Sequence, residues 1–230
     1  MVGSWFGNTF ALSEIDDTVF GFEGRHRLPP QTRLDTRSMP WSKRLFDIAL
    51  STVLLLPLAV TALVLLVLNP FFNRGPLIYD QRRMGFGGQP FRAWKFRTMS
   101  PARAAVRGAF DGLEEDRISR LGRILRKARI DELPQIINVL RGEMSLIGPR
   151  PDLYEHACVY LENISGYRAR HQVMPGISGY AQTEIGYVDG EDGVRRKVAA
   201  DLYYITHASL RLDVWIIWRT ICVIAARKGR

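Results

Sequence analysis

A chain of 230 residues, 47% of them apolar, has room for one sizeable domain plus a tail or an anchor, while a second full domain would be cramped. The formal charge is +9, yet the first forty residues carry four Arg against five Asp or Glu, so the basic excess lies in the body of the protein. Its surface is therefore expected to attract phosphates, acidic lipid or nucleic acid. Two distant cysteines, Cys158 and Cys222, exclude a disulfide framework and fit a reducing cytosol.

Residues 1–40 mix polar residues, isolated aromatics and Pro29-Pro30 without periodicity, and read as a poorly ordered cytosolic extension. They lack the order of a signal peptide, so membrane association is expected from within the mature chain. The next segment, 41–72, supplies it. From Ile48 to Leu68 there is no charge, enough apolar chain to cross a bilayer. Pro57 stands in the middle, where it lacks an N–H and crowds the Val53 carbonyl. The arms on either side are each roughly 16–18 Å long at helical rise, about half a bilayer. Arg25, Arg27, Arg33, Arg37, Lys43 and Arg44 precede the segment, and Arg74, Arg82, Arg83, Arg92, Lys95 and Arg97 follow it. Lys/Arg-rich flanks stay cytoplasmic, so both ends want the same side. A re-entrant helix hinged at Pro57 satisfies both flanks, whereas one crossing satisfies one. The hydroxyls of Ser51 and Thr52 are the candidates to satisfy backbone freed at the bend.

Residues 73–230 read as a cytosolic and interfacial domain. Leu77–Gln81 and Pro90–Thr98 around the glycines of 85–88 predict a β-hairpin. Helical period follows over 117–130, 132–141, 152–163, 194–207 and 209–226. The fold class is thus mainly α with a small β-hairpin. The basic helix 117–130 and the last helix, with Trp215 and Trp218, are both amphipathic. Each suits either a core contact or the headgroup layer.

The chemistry concentrates in Lys127–Pro151. Asp131 and Glu132 are adjacent carboxylates before Pro134, a helix-start signal that makes Asp131 a candidate N-cap of the helix from 132. The same position suits a bound phosphate beside free backbone N–H groups. A carboxylate there can attack phosphorus and form an acyl phosphate, while its neighbour holds Mg²⁺. Lys95 and Arg97 project from one face of a strand, and Arg150 is fixed between Pro149 and Pro151, prearranged to grip phosphate. The region Met174–Asp192, with Gln182, Glu184 and Tyr187, is expected to be loop and to contact a sugar. His26, His156, His171 and His207 show no metal-ligand spacing.

Taken in order, the motifs resemble the bacterial sugar transferase family, the monotopic phosphoglycosyl transferases. The resemblance rests on Lys43-Arg44 with Phe46-Asp47, Gln81-x-Arg83-x-Gly85, the run Lys95 to Met99 and Asp131-Glu132-Leu133-Pro134-Gln135. It continues through Asn138 to Gly142, Gly148-Pro149-Arg150-Pro151, Pro175 to Gly179 and Asp201 to Ile205. It implies transfer of a sugar-1-phosphate from a UDP-sugar to polyprenyl phosphate through a covalent phosphosugar on Asp131, with loss of UMP. Glu132 would be partner and Mg²⁺ ligand; Gln81, Arg83, Lys95, Arg97 and Arg150 would bind the substrate phosphates. The implied place is the cytoplasmic face of the bacterial inner membrane, in contact with its lipid, with a homodimer as an option and no nucleic acid. Leu56 stands before Pro57 where the family commonly has Ser. A membrane-tethered nucleic-acid-binding protein, or a silent scaffold, is the competing reading; no motif of nucleic-acid modules is present.

Overall fold

The computed structural model describes residues 40–72, 75–99, 108–111, 115–186 and 189–226, so the expected tail falls almost wholly outside the described residues. Helix α1 spans Trp41–Phe72, with Pro57 and Pro70 inside it, and is long and apolar enough to cross a membrane. Only 17% of its most apolar stretch is buried, which is not the pattern of a soluble protein's core helix. Asp47, Ser51, Leu65 and Asn69 are buried on it, while Val53, Leu56, Leu63 and Val67 are more than half exposed. Thr52 donates to the Ile48 carbonyl at 2.8 Å, and the buried Ser51 hydroxyl meets no partner. Neither caps the Val53 carbonyl, as the sequence proposed: a hydroxyl one turn back reaches its own i−4 carbonyl first.

The expected hairpin forms from β1, Ile78–Met84, and β2, Pro90–Phe96, paired antiparallel with Tyr79 opposite Lys95. The turn is a 3-10 segment, Phe86–Gly88, with Gly87 at φ 63°. Helix α2, Arg120–Lys127, is shorter than its predicted span, and the Ser119 hydroxyl caps it by accepting from the Gly122 N–H at 2.9 Å. Its apolar face is taken up by the core: Leu125 packs with Phe96 of β2 and Leu65 of α1, leaving Ile124 exposed.

Helix α3, Gln135–Arg141, leads into β3, Ser145–Ile147, which pairs in parallel with β4, Gly176–Ser178. This second sheet was not expected, because three-residue strands carry no readable period. Its glycines explain two motifs at once. A Cβ on Gly176 would stand 2.1 Å from the Gly148 nitrogen, and one on Gly179 2.3 Å from the Gly148 oxygen. The two loops meet backbone to backbone, which only glycine permits. Helix α4, Tyr154–Asn163, precedes β4; after it come α5, Tyr180–Glu184, α6, Gly190–His207, and α7, Leu210–Ala225. The segment expected to be loop over 174–192 thus holds β4, α5 and the start of α6.

Both halves of α1 lie on this domain. Near its start Lys43 meets Asp213 of α7 at 2.7 Å and Arg44 donates to the Val139 carbonyl at 2.6 Å. Asp47, fully buried, accepts from the Ser145 hydroxyl at 2.7 Å and from the Leu146 N–H at 3.3 Å. Further on, Leu58, Ala62 and Leu65 pack with Phe96 and Leu125.

Candidate active site

Asp131 and Glu132 sit on a short 3-10 turn, Ile130–Glu132, between α2 and α3. The chain enters it through Arg129, whose φ of 54° is the only left-handed one among described non-glycine residues. That conformation costs on the order of 1 kcal/mol and persists where surrounding contacts impose it. Ile130 and Leu133, on either side of the carboxylates, pack with Leu65, Phe96 and Leu125. The apolar support of the site is therefore shared by α1, β2 and α2.

The turn corrects one expectation. Asp131 is not an N-cap: α3 begins at Gln135 after Pro134, and no side chain caps it. The local donors are already used, since Glu132 N–H bonds the Arg129 carbonyl at 3.3 Å and Leu133 N–H the Ile130 carbonyl at 3.1 Å. Backbone amides here are thus not the phosphate cradle the sequence proposed. The charged donors gathered here are instead side-chain cations.

Glu132 holds those cations. Its Oε1 accepts from Lys95 Nζ at 2.8 Å and its Oε2 from Arg150 Nη1 at 2.9 Å. Arg150 Nη2 closes the fork on Oε1, and Arg129 lies 4.0 Å away. Burial opposes charge on Glu132, but Arg150 and then Lys95 overcome it and hold this carboxyl well below its ordinary value. Asp131 is as buried, yet none of the described residues hydrogen-bonds its carboxylate. Burial first, and the Glu132 charge second, push it up to about 6, against attraction from Lys95, Arg126 and Arg150. Lys95 is brought down to about 8 by burial, which Glu132 offsets in part. Two neighbouring carboxylates therefore differ in kind: one clamped and always charged, one unclamped and basic.

Of the other expected residues, Lys95 and Arg150 reach the pair directly. Gln81 and Arg83 stand behind it: Arg83 Nη2 donates to Gln81 Oε1 at 2.8 Å, and its Nη1 to the Pro151 carbonyl. They brace the loop that carries Arg150. Arg97 lies over the Tyr79 ring, its guanidinium carbon 5.9 Å from the centroid. Glu184 is occupied by Arg219 at 3.1 Å, Gln182 lies by Gly179, and Tyr187 falls outside the described residues. Sequence reasoning missed Arg126 and Arg129, which it left among the cations of an amphipathic helix suited either to a core contact or to the headgroup layer. The regular spacing of three along Arg126, Arg129 and Glu132 was the available signal.

Among the described residues no three His, Cys, Asp or Glu side chains gather as a metal site. Carboxylate oxygen is the right donor for Mg²⁺, and that ion needs few protein ligands when substrate phosphates complete its shell. Asp131 has lone pairs to give. Glu132 can serve if Lys95 or Arg150 turns from it to phosphate.

Residues 38–227 match the family model described as bacterial sugar transferase. The chain belongs to the bacterial sugar transferase family. Over 226 residues it is 43% identical to a UDP-N-acetylgalactosamine-undecaprenyl-phosphate N-acetylgalactosaminephosphotransferase of Aeromonas hydrophila, covering 96% of this chain and 53% of that relative. It is 41% identical over 198 residues to a UDP-glucose:undecaprenyl-phosphate glucose-1-phosphate transferase of Caulobacter vibrioides, covering 84% and 71%. A transferase of the same name from Klebsiella pneumoniae is 37% identical over 181 residues, 78% of this chain and 39% of its own. The chain thus spans about half the length of the first relative and less of the third.

Proposed function

We propose that this protein transfers a sugar-1-phosphate from a UDP-sugar to undecaprenyl phosphate at the cytoplasmic face of the bacterial inner membrane. The observation that carries the reading is the unequal carboxylate pair, an unclamped Asp131 beside a Glu132 held by Lys95 and Arg150. The relatives' names support the substrates. In the first half-reaction an Asp131 oxygen attacks the phosphorus that bears the sugar, the bond to the UMP oxygen breaks, and an acyl phosphate forms. Lys95, Arg126 and Arg150 surround the carboxylate with positive charge where negative charge accumulates. In the second, an oxygen of the lipid phosphate attacks the same phosphorus and Asp131 leaves as carboxylate. Incubating the purified chain with UDP-N-acetylgalactosamine or UDP-glucose, without lipid acceptor, is expected to release UMP up to one equivalent. A phosphosugar adduct should then be found on the peptide holding Asp131 by mass spectrometry. UMP appearing only when undecaprenyl phosphate is added would exclude the covalent route.

Mg²⁺ would bind Asp131 or Glu132 together with the diphosphate and neutralise it. EDTA is expected to abolish UMP release and Mg²⁺ to restore it; full activity in chelator would remove the metal from the scheme.

The membrane reading is monotopic, with α1 re-entering the cytoplasmic leaflet at Pro57. Its support is that both halves of α1 lie on one domain, through Asp47 with Ser145 and through Leu65 with Phe96. A helix leaving the domain to cross a bilayer would keep only one end on it. The exposed stripe Leu210, Val214, Trp218 and Ile221 on α7 suits the adjoining interface. In a Cys158→Ser, Cys222→Ser background, single cysteines at Ser42 and Phe86, both exposed, are expected to resist an impermeant maleimide in intact cells and react after lysis. Labelling of either in intact cells would mean a crossing.

A further inference from the structure

Behind Arg150 lies a buried ionic cluster that the transfer scheme does not use. Arg170 is 2% exposed and is gripped from two sides. Its Nη2 lies 2.7 Å from Asp201 Oδ2, and its Nη1 pairs with Asp152 Oδ2. Asp152 also binds Lys197 and accepts from the Tyr167 hydroxyl at 2.9 Å. Arg170 makes two further contacts: Nη1 donates to the Tyr167 hydroxyl at 3.2 Å, and Nη2 donates to the carbonyl of Arg150 at 2.7 Å. The next two carbonyls are held as well, Pro151 by Arg83 and Asp152 by the Met84 N–H at 3.1 Å. A small, partly open cleft borders Pro149, Arg150 and Pro151 on the side of His171 and Pro175.

We propose that Arg170, fixed by Asp152 and Asp201, is a positioning residue for the transfer. By holding the Arg150 backbone it aims the Arg150 guanidinium at Glu132 and at incoming phosphate. The inference rests on the proposed role of Arg150. Burial opposes charge on Arg170, yet Asp201 and Asp152 more than offset it, so the anchor stays charged throughout the accessible pH range. A guanidinium misplaced by about 1 Å costs about a hundredfold in rate.

The test is a double-substitution cycle, read as UMP release from UDP-N-acetylgalactosamine or UDP-glucose with undecaprenyl phosphate. Arg170→Lys keeps the charge but cannot reach both carboxylates and the carbonyl. It is expected to lower kcat about tenfold to a hundredfold, with the folded fraction unchanged by circular dichroism. In an Arg150→Ala background the same change should cost less than twofold, because its route of action is gone. Equal fold losses in both backgrounds would overturn the proposal and make Arg170 merely structural. Should Arg170→Lys fail to fold, Asp201→Asn replaces it in the cycle, since it loosens Arg170 without removing it; the same two outcomes decide. Full activity in Arg150→Ala alone would instead refute the role of Arg150 on which this rests.

Discussion

Asp131→Asn is expected to yield a protein that turns over no substrate and is more stable than the parent. An amide cannot form the acyl phosphate, so neither half-reaction proceeds. The gain in stability has a separate cause. Asp131 is raised from 3.8 to about 6 by burial and by Glu132, so its charged form is disfavoured in the fold. An acid with a raised folded value contributes stability at low pH that is lost as pH rises through that value. At pH 7 the cost is on the order of 2–3 kcal/mol, and asparagine removes it. The melting temperature of the variant should exceed the parent's at pH 7.5, with the gap narrowing as pH falls through 6 towards 4. Substantial UMP release from the folded variant would refute the nucleophile. A variant less stable than the parent at pH 7.5 would refute the electrostatic account of the site.

Glu132→Gln is expected to cost about a hundredfold in kcat/KM, because Lys95 and Arg150 lose the anion that aligns them. It should also destabilise the fold by about 3 kcal/mol, the usual result of leaving buried cations without their partner. Its signature is a shift in pH dependence. The parent should lose activity as pH falls through about 6, where Asp131 takes up a proton. Removing the Glu132 charge removes one cause of that raised value, and the freed cations act on Asp131 alone. The acid limb of the variant's profile is therefore expected to move to lower pH. A limb that stays in place, or moves up, would mean that Asp131 is not the group being titrated.

What could be read from the sequence was whatever has a period or a motif. The 21 uncharged residues Ile48–Leu68, the hairpin around Gly87 and the helices of the second half were legible because burial imposes 3.6- or 2-residue repeats. The carboxylate pair with Lys95 and Arg150 was legible from residue type and order. Three things were not. The β3–β4 pair depends on contacts between residues thirty-one apart, with strands too short to show alternation. The end of α2 and the turn through Arg129 depend on Ile130 and Leu133 finding Leu65 and Phe96, so tertiary packing overrode the apparent N-cap at Asp131. The Arg170 cluster joins residues 152, 170, 197 and 201 from separate stretches of chain, and of these only Asp201 stood in a motif. Pattern reading places charges on surfaces, and this one closes on itself inside.

The contacts of α1 also set an order of events during synthesis. Lys43 and Asp213 are 170 residues apart, and Asp47 is separated from Ser145 by 98. At about 5–20 residues per second, roughly 10 to 30 seconds pass between the emergence of Lys43 and that of its partner. On the proposed membrane reading, the apolar side chains of α1 enter lipid in that interval, and Asp47 stays at the water's edge without the hydroxyl that later buries it. The bilayer would then be the first template on which the chain begins to fold. The rest of the domain would be assembled afterwards onto a helix already in the membrane, and not the reverse.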